Sequence, residues 1–150
     1  MALMQRLQDD TKAALLGGDR FVGETLRNLK AAILNEEVAQ GKRDTGLSDA
    51  EIEKVIAREV KKRNESATLY EQNDRAEQAA QERREAEILS AYLPQQLSEA
   101  EVKAIVDAKV AELGATDAKM MGQVIGAVKA QAGNAADGAL IAKLVKEALN

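Results

Sequence analysis

A single proline, Pro94, interrupts 150 residues of otherwise helix-favouring sequence, in the string LSAYLPQQLSEAEV. A prolyl ring has no N–H to give a helix and pushes the preceding residue out of the α region, so no helix runs straight through Leu93-Pro94. The chain is expected to divide there, into residues 1–93 and 94–150. Only Phe21, Tyr70 and Tyr92 are aromatic, so a core must be built from Leu, Ile, Val, Met and much Ala. Alanine joins the best helix propensity to little volume, which favours close-packed helices over a sheet. The predicted class is all-α.

Periodicity and stop signals place seven helices. Leu3, Leu7, Ala14 and Leu15 share a stripe over about residues 2–17, closed by Gly17-Gly18. A second helix from Asp19 or Arg20 carries Val22, Leu26, Leu29, Ile33 and Leu34, and ends before the polar loop GKRDTG at Gly41. Ser48 and Glu51 have capping-box spacing, with Leu47 and Ile52 as a hydrophobic staple. That third helix continues through Val55, Ile56 and Val60 toward Ala67 and Tyr70. A fourth, about 75–92, buries Ala76, Ala79, Ala86, Leu89 and Tyr92 and forms an antiparallel hairpin with the third, joined near Gln72 to Asp74. Beyond Pro94 the start signal repeats as Leu97, Ser98, Glu101 and Val102. Helix five runs to Leu113 with Gly114 as cap. Thr116 or Asp117 opens helix six (Met120, Met121, Val124, Ile125, Val128), which Gly133 closes. Asp137 caps helix seven, with Leu140, Ile141, Leu144, Val145 and Leu149. The expectation is a larger helical domain of about four helices followed by a three-helix tail, a size that is marginal alone.

What is absent narrows the chemistry. Without Cys or His there is no thiolate nucleophile, imidazole base, disulfide or H-E-x-x-H zinc motif. No carboxylate spacing suggests a Mg²⁺ or Ca²⁺ site. Asp9-Asp10 and Glu36-Glu37 are adjacent, so on a helix they diverge by about 100° and read as solvated surface. No catalytic residue, metal or cofactor is assigned. No apolar run approaches the ~20 residues of a membrane span, and the start lacks a signal-peptide pattern. A soluble, cytoplasmic chain without membrane contact is therefore expected. The formal charge of −4 excludes a strongly basic nucleic-acid coat. Residues 1–93 carry 15 basic and 18 acidic groups, and 94–150 carry 6 and 7. Any RNA contact must use a local patch.

Two such patches stand out. Lys54, Arg58, Lys61 and Lys62 fall at i, i+4, i+7 and i+8 of helix three, one row suited to phosphates, with Arg63 adjoining. The plainer reading is a solvated face balanced by Glu51, Glu59 and Glu65. In the tail, Gly122 and Gly126 sit inside a helix, where each costs about 1 kcal/mol against Ala. Either they permit a close helix crossing, the favoured reading, or they expose backbone to a ligand such as RNA. Lys119 and Lys129 flank that segment, and Lys143 and Lys146 on the next helix would join them in a modest positive surface. Met120-Met121 reads as core filler before it reads as an adaptable binding face.

The segments LKAAILNEEVAQGK, LSDAEIEKVIAREVKKRNESATLYEQNDR, AEILSAYLPQQLSEAEV, MMGQVIGAVKAQ and ADGALIAKLVKEAL, in that order, closely resemble the YqeY family. The resemblance implies a helical domain followed by a three-helix tail similar to the C-terminal tail of the GatB subunit of tRNA-dependent amidotransferase. In that enzyme the tail helps bind tRNA and catalysis lies elsewhere. Binding of tRNA or other RNA, or of a translation-related protein, is thus implied rather than catalysis. A carbon–nitrogen ligase with glutamine as amido donor is the remote alternative. A protein-interaction adaptor is the other reading. Gln123 and Asn134 depart from the family pattern, standing where it carries cations.

Overall fold

The structure is a computed structural model and describes residues 2–150. Among them are seven α-helices and no strand: α1 (Ala2–Leu16), α2 (Arg20–Ala39), α3 (Asp49–Gln72), α4 (Ala76–Ser90), α5 (Glu99–Leu113), α6 (Met121–Ala132) and α7 (Gly138–Ala148). The fold is all-α. Contacts gather into two compact units that meet at Leu93 and Pro94.

In the first unit, the turn at Gly18 (φ 81°) lets α1 fold back on α2, and Asp19 caps α2 by accepting a hydrogen bond from Val22 N at 3.2 Å. Leu3, Leu7, Leu26, Leu29 and Ile33 meet Leu47, Ile52, Val55, Ile56 and Leu89 in one apolar core. Burying side chains of this size stabilises by about 1.5–3 kcal/mol each before entropy is set against it. Tyr92 ties the last turn of this unit to its first helix: its hydroxyl donates to Asp10 Oδ2 at 2.5 Å. The Arg6 guanidinium lies 4.6 Å from the centre of the same ring. Burial, and then the bond to Asp10, push the Tyr92 hydroxyl far above its ordinary pKa.

Four expectations for this unit need correction. Leu15 is not buried on the α1 stripe; it is 38% exposed, because it reaches sideways to fill the space over Gly23 of α2. Its place inside is taken by Thr11, whose hydroxyl donates to Leu7 O at 2.6 Å, so a β-branched polar residue is buried with its hydrogen bond satisfied. Leu34 is 47% exposed, turned away from Ile33, since neighbouring residues on a helix point about 100° apart. Ala76, in the first turn of α4, is exposed, and Tyr92 lies past the helix in the turn after Ser90. The α3–α4 turn centres on Asp74, which takes φ 58°, a left-handed conformation that Asp tolerates better than most residues.

In the second unit, Ser98 and Glu101 form the complete capping box, and Gly114 (φ 62°) supplies the left-handed C-cap of α5. Val102, Val106, Ala115, Val124, Val128, Ile141, Leu144 and Val145 form its core, with Met120 and Met121 packed against it. The methionines are core filler. Asp117 caps a short 3₁₀ turn, Ala118–Met120, so α6 proper begins at Met121. Asp137 stands at the N-cap of α7 without the expected side-chain bond to the helix.

Candidate nucleic-acid interface

The row on α3 is only partly balanced, and not by the expected carboxylates. Glu51 binds Lys42 at 2.7 Å, and Glu59 binds Arg63 at 2.9 Å. Arg58 is instead held from α2, where Glu36 Oε2 lies 3.3 Å from Arg58 Nη2. The hydrogen bond from Gln40 and then the one from Arg58 hold the Glu36 carboxyl below its usual pKa. Lys54, Lys61 and Lys62 are exposed, and no carboxylate of the described residues lies within ion-pair distance of them. Arg63 does not join the row: its side chain turns inward between α3 and α4 and is 12% exposed.

In the second unit, a Cβ placed on Gly122 or Gly126 would meet nothing within 4 Å, and both residues are exposed. No helix of this unit crosses close to them. The close-packing reading fails for a plain geometric reason: Val124 and Val128 face the core, and glycines two residues from each look outward. The intrinsic helix cost of each glycine is therefore not offset by packing within its own unit.

Four lysines lie on the same short stretch of chain. Lys119 follows Asp117 in the turn before α6, and its main-chain N–H donates to Asp117 Oδ1 at 2.9 Å. Lys129 is exposed, and the end of its side chain lies 3.5–3.6 Å from where a Cβ of Gly138 would be, an ordinary contact distance that brings it to the start of α7. Lys143 approaches Glu99 Oε1 at 3.9 Å with both side chains about 60% exposed, a pair of little strength. Lys146 is exposed in the last turn of α7, where a cation complements the helix dipole.

Among the described residues there is no cluster of three or more acidic groups placed to hold a metal ion. Nor is any helix long and apolar enough to cross a membrane. What the two surfaces offer chemically is ammonium groups and, on α6, backbone that can be approached closely.

Compared with known proteins, residues 4–149 match the family described as Yqey-like protein. A curated relative, "Altered inheritance of mitochondria protein 41, mitochondrial" from Clavispora lusitaniae (strain ATCC 42720), is 30% identical over 92 residues. That stretch is 61% of this chain and 52% of the relative, so the likeness spans about half of the relative's length.

Proposed function

The chain belongs to the Yqey-like protein family, and from that membership we propose that it is a non-catalytic module that binds RNA, tRNA foremost, through its second unit. The observation that carries this reading is the open glycine face of α6 at Gly122 and Gly126, flanked in the chain by the exposed Lys119 and Lys129, with Lys143 and Lys146 exposed on α7 of the same unit. Phosphates need cations and close approach, and this stretch supplies both. Lys54, Lys61 and Lys62 on α3, with Arg58 half engaged by Glu36, form the second contact. In this reading residues 94–150 act as a tail domain like that of the amidotransferase B subunit, and the protein works in translation in the cytoplasm.

Fluorescence titration with bulk tRNA at two salt concentrations tests it. Four lysine–phosphate contacts give a log–log salt slope of about −3. Replacing Gly122 or Gly126 by Leu should weaken binding without loss of fold, since the space beside each is open. No salt-dependent binding up to about 100 μM would overturn the reading. Glutamine-dependent amidation of Glu-tRNA(Gln) by the purified chain would overturn its non-catalytic part.

A second reading, a protein-interaction adaptor, is favoured by Leu16, Val38 and Leu69, which are 79%, 58% and 60% exposed. A partner that stays bound after RNase treatment, with no tRNA binding, would replace the first reading by this one.

A further inference from the structure

Between Val60 and Ala86 the α3–α4 hairpin buries only two side chains, Ala67 and Ala79, at 0% and 2% exposure. At its root the same hairpin is held by Ile52, Val55, Ile56 and Leu89 in the apolar core. Two alanines remove far less apolar surface from water than those four residues do.

The outer stretch is clasped by charge instead. Arg63 Nη1 lies 2.9 Å from Glu59 Oε2, and Arg63 Nε lies 3.9 Å from Glu85 Oε1 across the hairpin, with side-chain exposures of only 12–15%. Burial pushes the Glu85 carboxyl up, Arg63 draws it down, and Glu82 pushes it up again. Nearer the tip, Arg83 Nε meets Glu71 Oε1 at 2.9 Å with both side chains about half exposed. Toward the root, the Arg84 guanidinium lies 4.2 Å from the centre of the Phe21 ring of α2.

We infer that residues 61–85 form a separately opening arm, clasped by Arg63–Glu59–Glu85 and Arg83–Glu71, which unzips while the core at its root stays folded. Regions with few buried apolar side chains open below the global unfolding free energy. Lys61 and Lys62 ride on this arm, whereas Lys54 and Arg58 lie on its root. Each opening therefore breaks the cation row of α3 in two. The arm is a conformational control on that surface, whatever binds there.

Amide hydrogen exchange of the full chain, read by mass spectrometry near neutral pH, tests the arm. Amides in 61–85 should exchange at least tenfold faster than those around Leu26–Ile33. Arg63→Met, which strands two nearly buried carboxylates, should speed arm exchange tenfold or more. Arg83→Gln, at an exposed pair that the fold does not need, should speed it several-fold. Each should leave Leu26–Ile33 unchanged. One common rate for arm and core, or no response to Arg83→Gln, would overturn the inference. Should Arg63→Met unfold the whole chain, Arg83→Gln decides alone.

Discussion

Helices α3 and α5 begin with the same pattern, Leu-Ser-x-x-Glu followed by an apolar residue, at Leu47 to Ile52 and at Leu97 to Val102. Both serines cap: Ser48 Oγ accepts from Glu51 N at 3.2 Å and Ser98 Oγ from Glu101 N at 3.1 Å. The glutamates then part company. Glu101 Oε1 returns to accept from Ser98 N at 3.4 Å, whereas Glu51 Oε1 takes Lys42 Nζ at 2.7 Å and its Oε2 is buried without a hydrogen bond. The loop GKRDTG brings a cation to α3, and Pro94-Gln95-Gln96 brings none to α5. A start signal thus fixes where a helix begins, while the segment before it decides what the third residue's carboxylate binds.

The leucines differ as well. Leu47 is 1% exposed inside the first core, and Leu97 is half-buried beside the second. Leu47→Ala should therefore lower the stability of its unit by about 2–5 kcal/mol. Leu97→Ala should cost less than half as much, both measured by urea unfolding followed by circular dichroism. Equal losses would erase the distinction between the two starts.

Ser98→Ala should cost about 1 kcal/mol. Ser48→Ala should cost no more, because the Glu51 carboxylate is already committed to Lys42; a larger loss at Ser48 would reverse the order.

The smallest effect concerns acid. The hydrogen bond from Lys42 holds the Glu51 carboxyl below its usual value of 4.5. Its contribution is therefore complete above pH 4.5 and fades as pH falls through the lower, folded value. Lys42→Met should flatten the acid limb of the first unit's stability curve, measured between about pH 5 and 2. An unchanged limb would mean that the loop cation is incidental.

The helices themselves were legible because apolar spacing, serine starts and glycine stops all agreed, as at Ser98, Val102 and Gly114. Leu15 was misread because its partner is Gly23, a residue whose message is the space it leaves. Thr11 gave no signal either; its hydroxyl is satisfied by Leu7 O, a bond that spacing does not reveal. For the candidate surface, the four tail lysines and the two glycines were visible as residues, but the openness of Gly122 and Gly126 was not. Helix period alone places them opposite Val124 and Val128, yet whether another segment covers that side depends on contacts between residues distant in sequence. Glu36 as the partner of Arg58 was hidden for the same reason, since 22 positions separate them.

The bond between Tyr92 and Asp10 joins residues 82 positions apart. During synthesis the first helix waits for nearly the whole first unit to emerge before this partner exists, and a contact of such long range forms late because loop closure must precede it. The tyrosine stands two residues before Pro94, so the first unit gains its last clasp just as the chain reaches the residue that stops its helices. A nascent chain halted short of residue 92 holds its first helix by the packing of Leu3 and Leu7, without this long-range clasp.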